Sequence, residues 1–427
     1  MKKSIHPIER LRGSVQSPRL PGIDVARVLA IFGMIAAHVA SGPSSVSIMD
    51  PSTYPALVHG RPAVLFALLA GVSISLMTGR GERPTSVNDV RGIRLKLIGR
   101  ALAIFLIGLL LEQLGTGIAV ILTFYGVLYF VALPFVWAKT RTLVIVTVCL
   151  GLVGPSLLAV IQYLLPKGNV SPTIGLVLGG VYPLPVFWGI LLLGMALGRL
   201  HLQSTRVLAG LVAVGICASA VGYGVGSLWG SNEEPKNGWI NQDDGNGSSQ
   251  PDWSTVISKL QKQKSKQVDG LQPGNPAAES SGDASSDEGI ESRWGQYWEG
   301  LGSSKQLKDS IKKSVVDSAP HSGGTAEFVG SGGFALIVVA LCQLVVSRAR
   351  RWFIPLAVTG AMPLTIYTAH VIVVFVLGGP AGTVVSNPLY WSLVIGSVIF
   401  ANGWMAFVGR GPLERFPRWL GNRAAGQ

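Results

Sequence analysis

The chain carries little charge for its length. Only 13% of its 427 residues are Asp, Glu, Lys or Arg, whereas about a quarter of the residues in a soluble domain are charged. So few charges cannot cover the water-facing surface of a soluble protein of this size. The hydrophobic residues, 48% of the chain, fall into long runs. The two observations together indicate an integral membrane protein.

Cysteine is also scarce, and the usual cofactor motifs are missing. The three cysteines each lie inside an apolar run, so no disulfide framework is expected. A P-loop, an HExxH motif and a CxxC pair are all absent, and we predict no metal site. The net charge of +13 lies mainly in short segments between apolar runs. Because no basic face interleaved with aromatics lies outside those segments, we expect no nucleic-acid partner.

What the chain does contain is a series of apolar runs long enough to cross a bilayer. They lie near residues 25–42, 62–79, 97–113, 117–137, 142–164, 179–198, 206–229, 328–347, 352–378 and 388–408. The sequence thus predicts an all-α, polytopic membrane helix bundle of about ten transmembrane helices, with the lipid bilayer as its first partner. The first run has no clear signal-peptide cleavage site, so we expect it to be retained.

The connections between the runs alternate in character. One set is basic, for example AKTR, GRLHLQSTR and SRARR, and the other is polar or small, for example LGTG and PKGNVSPTIG. Basic connections stay on the cytoplasmic side of a membrane. The alternation therefore predicts a multi-pass protein of the bacterial cytoplasmic (inner) membrane with both termini in the cytoplasm.

One segment, 230–327, interrupts this pattern. It is rich in Gly, Ser, Asp, Asn, Lys and Gln and cannot bury enough apolar surface to offset the entropy of ordering. We predict a long, mostly disordered extracytoplasmic loop, in which SSKQLKDSIKKSVVD is one candidate for a short amphipathic helix. The loop separates an N-terminal membrane segment, 1–229, from a C-terminal one, 328–427, and we expect the two to pack into one bundle.

Ionisable side chains are costly inside a membrane, so each one is a candidate for function. His38 lies at the predicted outer end of the first span, His59 just before the second, and His370 in the outer part of the ninth. These three histidines from different segments point to the same face of the membrane. By contrast, His6, His201 and His321 fall in predicted tails or loops and carry little information.

Other polar residues in or beside the spans are further candidates for function. Asp24 and Arg27 share a face at the cytoplasmic start of the first span, about 20 Å from His38 along an ideal helix. Arg61 begins the second span. The remaining candidates lie in the outer halves of their spans, and they are Glu112, Tyr125 and Tyr367.

Several segments resemble transmembrane acyltransferases. RLPGIDVARVLAIFGMIAAHVA is similar to their first helix, HGRPAVLFALLAGVSISLMTGR to their second, and LTFYGVLYFVALP to their fourth. GAMPLTIYTAH and GRGPLERFPRWL resemble C-terminal motifs of the YeiB-like branch. The chain is identified as a member of the heparan-α-glucosaminide N-acetyltransferase-like superfamily, with a first-helix pattern shared with the acyltransferase-3 family.

The resemblance implies transfer of an acyl group, acetyl being expected, from cytoplasmic acyl-CoA to a hydroxyl or amine of an envelope glycan or glycolipid outside. It implies a catalytic histidine, which is His38 by the acyltransferase-3 pattern and His59 by the heparan-type pattern. His370 and Arg61 would assist, with Arg61 or Tyr367 facing the oxyanion. Candidate CoA-binding residues in a basic connection are Arg91, Arg94, Lys96 and Arg100.

Two other functions remain open at this stage. In a transporter or flippase of a small envelope precursor, the same polar residues would line a translocation path, and two similar halves with interrupted helices would be expected. In a non-catalytic scaffold, 230–327 would recruit partners. A homodimer is also left open.

Overall fold

A computed structural model describes residues 20–41, 60–164, 182–229 and 304–426. All of them lie in one compact unit, Met1–Pro235 with Gly302–Gln427, whereas a second unit, Lys236–Leu301, lies outside the described residues. The predicted division into 1–229, 230–327 and 328–427 therefore stays a prediction.

The described residues form fourteen α-helices and no strand. In chain order they are α1 (Pro21–Val39), α2 (Arg61–Met77), α3 (Val87–Glu112), α4 (Ile121–Ala132), α5 (Thr140–Leu152), α6 (Gly154–Leu164), α7 (Leu184–Leu197), α8 (Thr205–Trp229), α9 (Ser304–Val316), α10 (Thr325–Arg348), α11 (Ile354–Gly360), α12 (Pro363–Gly378), α13 (Asn387–Phe407) and α14 (Pro412–Ala424). A 3₁₀ turn, Leu133–Phe135, follows α4. The predicted all-α membrane bundle is confirmed.

Four of these helices, α1, α8, α10 and α13, are long and apolar enough to cross a membrane, and two bent helix pairs raise the number to six. Three further helices, α2, α4 with its 3₁₀ turn and α7, are apolar but shorter. Each of the ten predicted apolar runs contains a described helix. The count of about ten spans itself stays a prediction.

Two runs that the sequence presented as continuous are broken. α5 and α6 meet at 47° and α11 and α12 at 77°. Pro155 follows the first break and Pro363 the second. Proline has no backbone N–H and disfavours helical geometry in the residue before it, and Met362 accordingly has φ −120° and ψ 47°. Each of the predicted runs 142–164 and 352–378 is therefore built from two helices rather than one.

Small residues hold the centre of the bundle together. α2 and α7 approach so closely that a Cβ on Gly71 would lie 1.9 Å from the Leu191 carbonyl oxygen, and one on Gly194 would lie 2.0 Å from that of Leu68. Helices in lipid gain little from the hydrophobic effect and associate through such close packing. At the periphery, α8 and α13 bury only a few of their side chains, as expected for surfaces that face lipid chains.

The connections meet in two groups at opposite ends of the bundle. At one end, the Ala381 amide donates to the Gly115 carbonyl at 2.6 Å, and the Ser386 amide to that of Val39 at 2.7 Å. We call this the histidine end, because His38 lies there. These connections belong to the polar or small set.

At the other end, which we call the arginine end, the basic connections meet. The Arg199 guanidinium donates to the Ala138 carbonyl at 2.5 Å, and that of Arg100 contacts the Met77 sulfur at 3.4 Å. The two predicted sets of connections are thus segregated in space. Which end faces the cytoplasm stays a prediction.

The end of the predicted loop differs from the expectation. Residues 304–327, assigned from the sequence to a mostly disordered loop, contain α9, a structured turn and the start of α10. α9 is the amphipathic helix for which SSKQLKDSIKKSVVD was a candidate. It packs against α6, and the Ser314 hydroxyl donates to that of Ser156 at 3.4 Å. This contact shows how a helix too polar to be stable alone acquires a partner.

Candidate functional site

Two predicted catalytic histidines, 332 residues apart in sequence, touch each other. His38 Nδ1 of α1 lies 3.1 Å from His370 Nε2 of α12. Their rings are stacked, with centroids 5.4 Å apart and planes 10° apart. His38 is partly exposed, whereas His370 is buried, with 1% of its surface accessible. One histidine is therefore reachable by a substrate, and the other is enclosed behind it.

Tyrosines enclose the buried side of this pair. The Tyr367 ring meets the His370 ring edge-on, with centroids 4.9 Å apart, and its hydroxyl oxygen accepts a hydrogen bond from the Ile121 amide at 3.2 Å. The Tyr125 hydroxyl donates to the Ala63 carbonyl at 2.9 Å, which ties α4 to α2. Of the predicted Glu112, Tyr125 and Tyr367, the structure thus brings Tyr367 into contact with His370.

Tyr182 and His321 are members of this site that the sequence did not suggest. Their rings meet edge-on at 5.6 Å. The Tyr182 hydroxyl donates to the Ala119 carbonyl at 3.2 Å, two residues before the Ile121 amide that donates to Tyr367. The sequence placed His321 in a loop beyond a polar segment of about a hundred residues, so no helical spacing could relate it to His38. Within the described ranges, no three His, Cys, Asp or Glu side chains are close enough together to hold a metal ion.

Of the other two predicted catalytic residues, the structure describes Arg61 alone. His59 lies outside the described residues. Arg61, at the start of α2, donates from Nε to the Tyr223 hydroxyl at 2.7 Å, and its guanidinium lies 4.6 Å from the centre of the Tyr223 ring. These contacts tie α2 to α8. They give Arg61 a role in helix association, and its assistance in catalysis stays a prediction.

Asp24 and Arg27 form a junction at the arginine end. The Arg27 guanidinium donates to the Asp24 carboxylate at 2.5 Å and to the Gly360 carbonyl at 3.2 Å. It also donates to the Ser73 hydroxyl at 2.9 Å. One side chain of α1 therefore ties together α2 and the break between α11 and α12. The break lies at the base of α12, the helix that carries His370.

The predicted CoA-binding residues lie along the first half of α3. Arg94 stacks over the Trp137 ring at 5.2 Å, Arg100 contacts Met77, and Arg91 is exposed and Lys96 partly buried. α14 packs directly on this helix, since a Cβ on Gly99 would lie 2.7 Å from the Gly421 Cα.

α14 adds basic residues that the sequence had accounted for only as cytoplasmic charge. A concavity of about 490 Å³ is lined by Arg410, Arg415, Arg418, Trp419 and Asn422. Glu414, beside it, accepts hydrogen bonds from the Thr365 amide at 2.9 Å and the Thr365 hydroxyl at 2.5 Å. α14 thus joins the basic surface of α3 to the first turn of α12.

A pair of touching histidines inside a helical membrane bundle defines the class: an integral membrane protein with an internal ionisable site, which is a sign of function in such proteins. Residues 19–221 match the family model described as heparan-alpha-glucosaminide N-acetyltransferase, catalytic. The resemblance to this superfamily is confirmed, and the match supports a membrane protein of an acyltransferase class. No significant match was found among curated proteins or solved structures.

Proposed function

We propose that the protein transfers an acyl group, acetyl being the expected one, from cytoplasmic acyl-CoA to a hydroxyl or amine of an envelope glycan or glycolipid. The observation that carries the proposal is the 3.1 Å contact between His38 Nδ1 and His370 Nε2. In this proposal the histidine end faces outward from the bacterial cytoplasmic membrane, and the arginine end faces the cytoplasm. The family match over residues 19–221 supports the reaction class.

His38 is the general base and His370 orients it. The partly exposed ring of His38 can reach a substrate, whereas that of His370 is enclosed. For His38 Nε2 to accept a proton, the proton shared by the pair must reside on His38 Nδ1 and point to His370 Nε2. A buried partner that fixes the tautomer of a catalytic histidine in this way is a recurring device in acyl transfer.

The reaction then needs one proton to be moved twice. His38 Nε2 takes the proton from the acceptor hydroxyl or amine as its oxygen or nitrogen attacks the thioester carbonyl. The tetrahedral intermediate collapses with cleavage of the C–S bond, and the proton on His38 passes to the departing thiolate. The products are the acylated acceptor and CoA with a free thiol. The Tyr367 hydroxyl oxygen accepts from the Ile121 amide, which leaves its own proton to donate to the oxyanion.

The donor approaches from the arginine end. Asp24 and His38 are fourteen residues apart on α1, about 21 Å at 1.5 Å per residue, a distance suited to the extended pantetheine arm of CoA. The phosphates of CoA would meet basic side chains of α3 and of the α14 concavity, because guanidinium groups recognise phosphate well.

Mass spectrometry of envelope glycans and lipids tests this function directly. Cells that lack the protein are compared with cells that carry the wild type or the His38→Ala variant. We expect an acyl mass increment on one envelope component in the wild type, and its loss in the other two strains. An identical envelope composition in all three strains would contradict the proposal.

A transporter or flippase is the second candidate, and one observation favours it. The described part of the chain contains two bent helix pairs, with angles of 47° and 77°, and broken helices often line substrate paths in transporters. The two functions differ in their products: a flippase moves its substrate unchanged, whereas the acyltransferase releases free CoA. Export of an unmodified precursor that persists in His38→Ala would favour the transporter.

A further inference from the structure

The turn between α9 and α10 is held by one buried carboxylate. Glu327 has 1% of its surface exposed. Its Oε1 accepts from the His321 amide at 2.7 Å, and its Oε2 accepts from the Gly323 amide at 2.7 Å and the Ser322 hydroxyl at 3.2 Å. A buried carboxylate is costly unless it is hydrogen-bonded, and here both oxygens are used to hold a single turn.

The turn forces His321 into an unfavourable backbone conformation. Its φ is +63°, in the left-handed region that residues with a Cβ adopt only at a cost. Such conformations persist where surrounding contacts fix them, and they cluster at functional sites. A glycine would relieve the cost, and the neighbouring Gly323 adopts φ +69°. The turn therefore admits a histidine at this position but does not require one.

The same turn points into the site already described. The His321 ring packs edge-on against Tyr182. Tyr182 is bonded to the same short segment before α4 that holds Tyr367, the neighbour of His370. On its other side, Pro320 packs against Gly60, where a Cβ would lie 2.1 Å from the Pro320 Cβ. The turn thus joins the N-terminus of α2 to Tyr182, and it comes from the part of the chain that follows the long polar segment.

We infer that His321 is a third functional histidine, which hydrogen-bonds to the acceptor and holds it against His38, and that Glu327 is the positioning residue that presents it. This inference rests on the proposed acyl transfer and adds the acceptor-binding group. An imidazole can both donate and accept a hydrogen bond, so it suits a sugar hydroxyl or an amine. No new covalent step is required of it.

Variants at position 321 separate a functional role from a structural one. Asn tolerates the left-handed conformation and removes the imidazole, and Gly removes the backbone cost as well. In proteoliposomes supplied with radiolabelled acetyl-CoA and an envelope extract from cells lacking the protein, we expect both variants to raise the apparent KM for the extract at least about ten-fold. The KM for acetyl-CoA stays unchanged, and the melting temperature of His321→Gly is not lowered.

Glu327→Gln tests the positioning role. Its amide nitrogen would face a backbone N–H that now donates to the carboxylate, so one of the hydrogen bonds that hold the turn would be lost. We expect a smaller rise in the apparent KM for the extract, and no change in the KM for acetyl-CoA. His201→Asn, at an exposed histidine of the arginine end, is the matched control and keeps wild-type constants.

The outcomes distinguish this inference from the proposed function. Normal transfer by His321→Asn and His321→Gly, together with loss of transfer in His38→Ala, would overturn the role of His321 and leave the proposed reaction standing. A lower melting temperature for His321→Gly with an unchanged KM for the extract would show a packing role only and would also overturn it. Absence of any transfer by the wild type would contradict both the proposed reaction and the role of His321.

Discussion

At the scale of single residues, the account depends on the unequal surroundings of two histidines that touch. His38 is partly exposed and His370 is enclosed, so we assign proton transfer to the first and orientation to the second. We predict that His38→Ala lowers kcat for acyl transfer by about 10²–10⁴-fold, the usual contribution of a general base.

His370 has a distinct signature under this assignment. His370→Phe removes the acceptor of the His38 Nδ1 proton, and we expect kcat to fall by about 10²-fold, because less of His38 is in the reactive tautomer. His370→Asn supplies an oxygen that can accept the same proton, so it recovers part of the rate. The double variant with His38→Ala is no slower than His38→Ala alone, since the two residues act as a unit. Additive losses would contradict the assignment.

The sequence was sufficient to predict some residues of the candidate site and not others. His38 and His370 stood out because ionisable side chains are rare in apolar runs, and their depth along two spans that run in the same direction placed both toward the outer side. Their 3.1 Å contact was not predictable, since it depends on how α1 and α12 rotate about their axes. His321 was missed because its position is set by backbone hydrogen bonds to Glu327. Such bonds produce no periodic pattern in the sequence from which they could be predicted.

At the scale of elements, the break between α11 and α12 packs directly on α1. A Cβ on Gly360 would lie 1.8 Å from the Asp24 carbonyl oxygen, and Arg27 donates to the Gly360 carbonyl. We predict that Gly360→Ala destabilises the bundle by about 1–3 kcal/mol, the usual cost of overpacking, measured by thermal unfolding in detergent.

Gly396→Ala is the matched control for that substitution. Gly396 lies in the middle of α13 with no atom within 4 Å of an added Cβ. Alanine is favoured over glycine in a helix by about 0.5–1 kcal/mol, so this variant is expected to be neutral or slightly more stable. Equal losses of stability in the two variants would show that close packing at Gly360 is not the cause.

The helices also show that apolar runs alone do not predict where one helix ends and the next begins. Hydropathy located a helix in every predicted run, yet it joined α5 to α6 and α11 to α12. Pro155 and Pro363 were visible in the sequence, but a membrane helix can tolerate proline when neighbouring groups satisfy the freed carbonyl. At the break between α11 and α12, the Gly360 carbonyl accepts from Arg27, which comes from a distant part of the chain.

At the scale of the whole molecule, the arrangement of connections at two ends predicts their accessibility. In a protein whose Cys149, Cys217 and Cys342 are replaced by alanine, Val385→Cys at the histidine end should react with a membrane-impermeant maleimide on intact cells. Arg83→Cys, in the basic connection between α2 and α3, should react only after the cells are permeabilised. The reverse pattern would place the histidine pair in the cytoplasm and contradict the proposed direction of transfer.

The bundle as a whole was predictable because its causes are compositional. Low charge and long apolar runs predict membrane helices, and the positive-inside tendency separates the connections into two sets. The basic concavity on α14 was not predictable, because its arginines resemble ordinary cytoplasmic charge until the helix is seen packed on α3 through Gly99 and Gly421.

Transfer of radiolabelled acetyl from acetyl-CoA to an envelope extract, by purified protein in proteoliposomes, tests the central claim most directly. The account predicts transfer with release of free CoA by the wild type, a rate lowered by about 10²–10⁴-fold in His38→Ala, and a wild-type rate in the distant control Gly396→Ala. Full transfer by a correctly folded His38→Ala protein would contradict it.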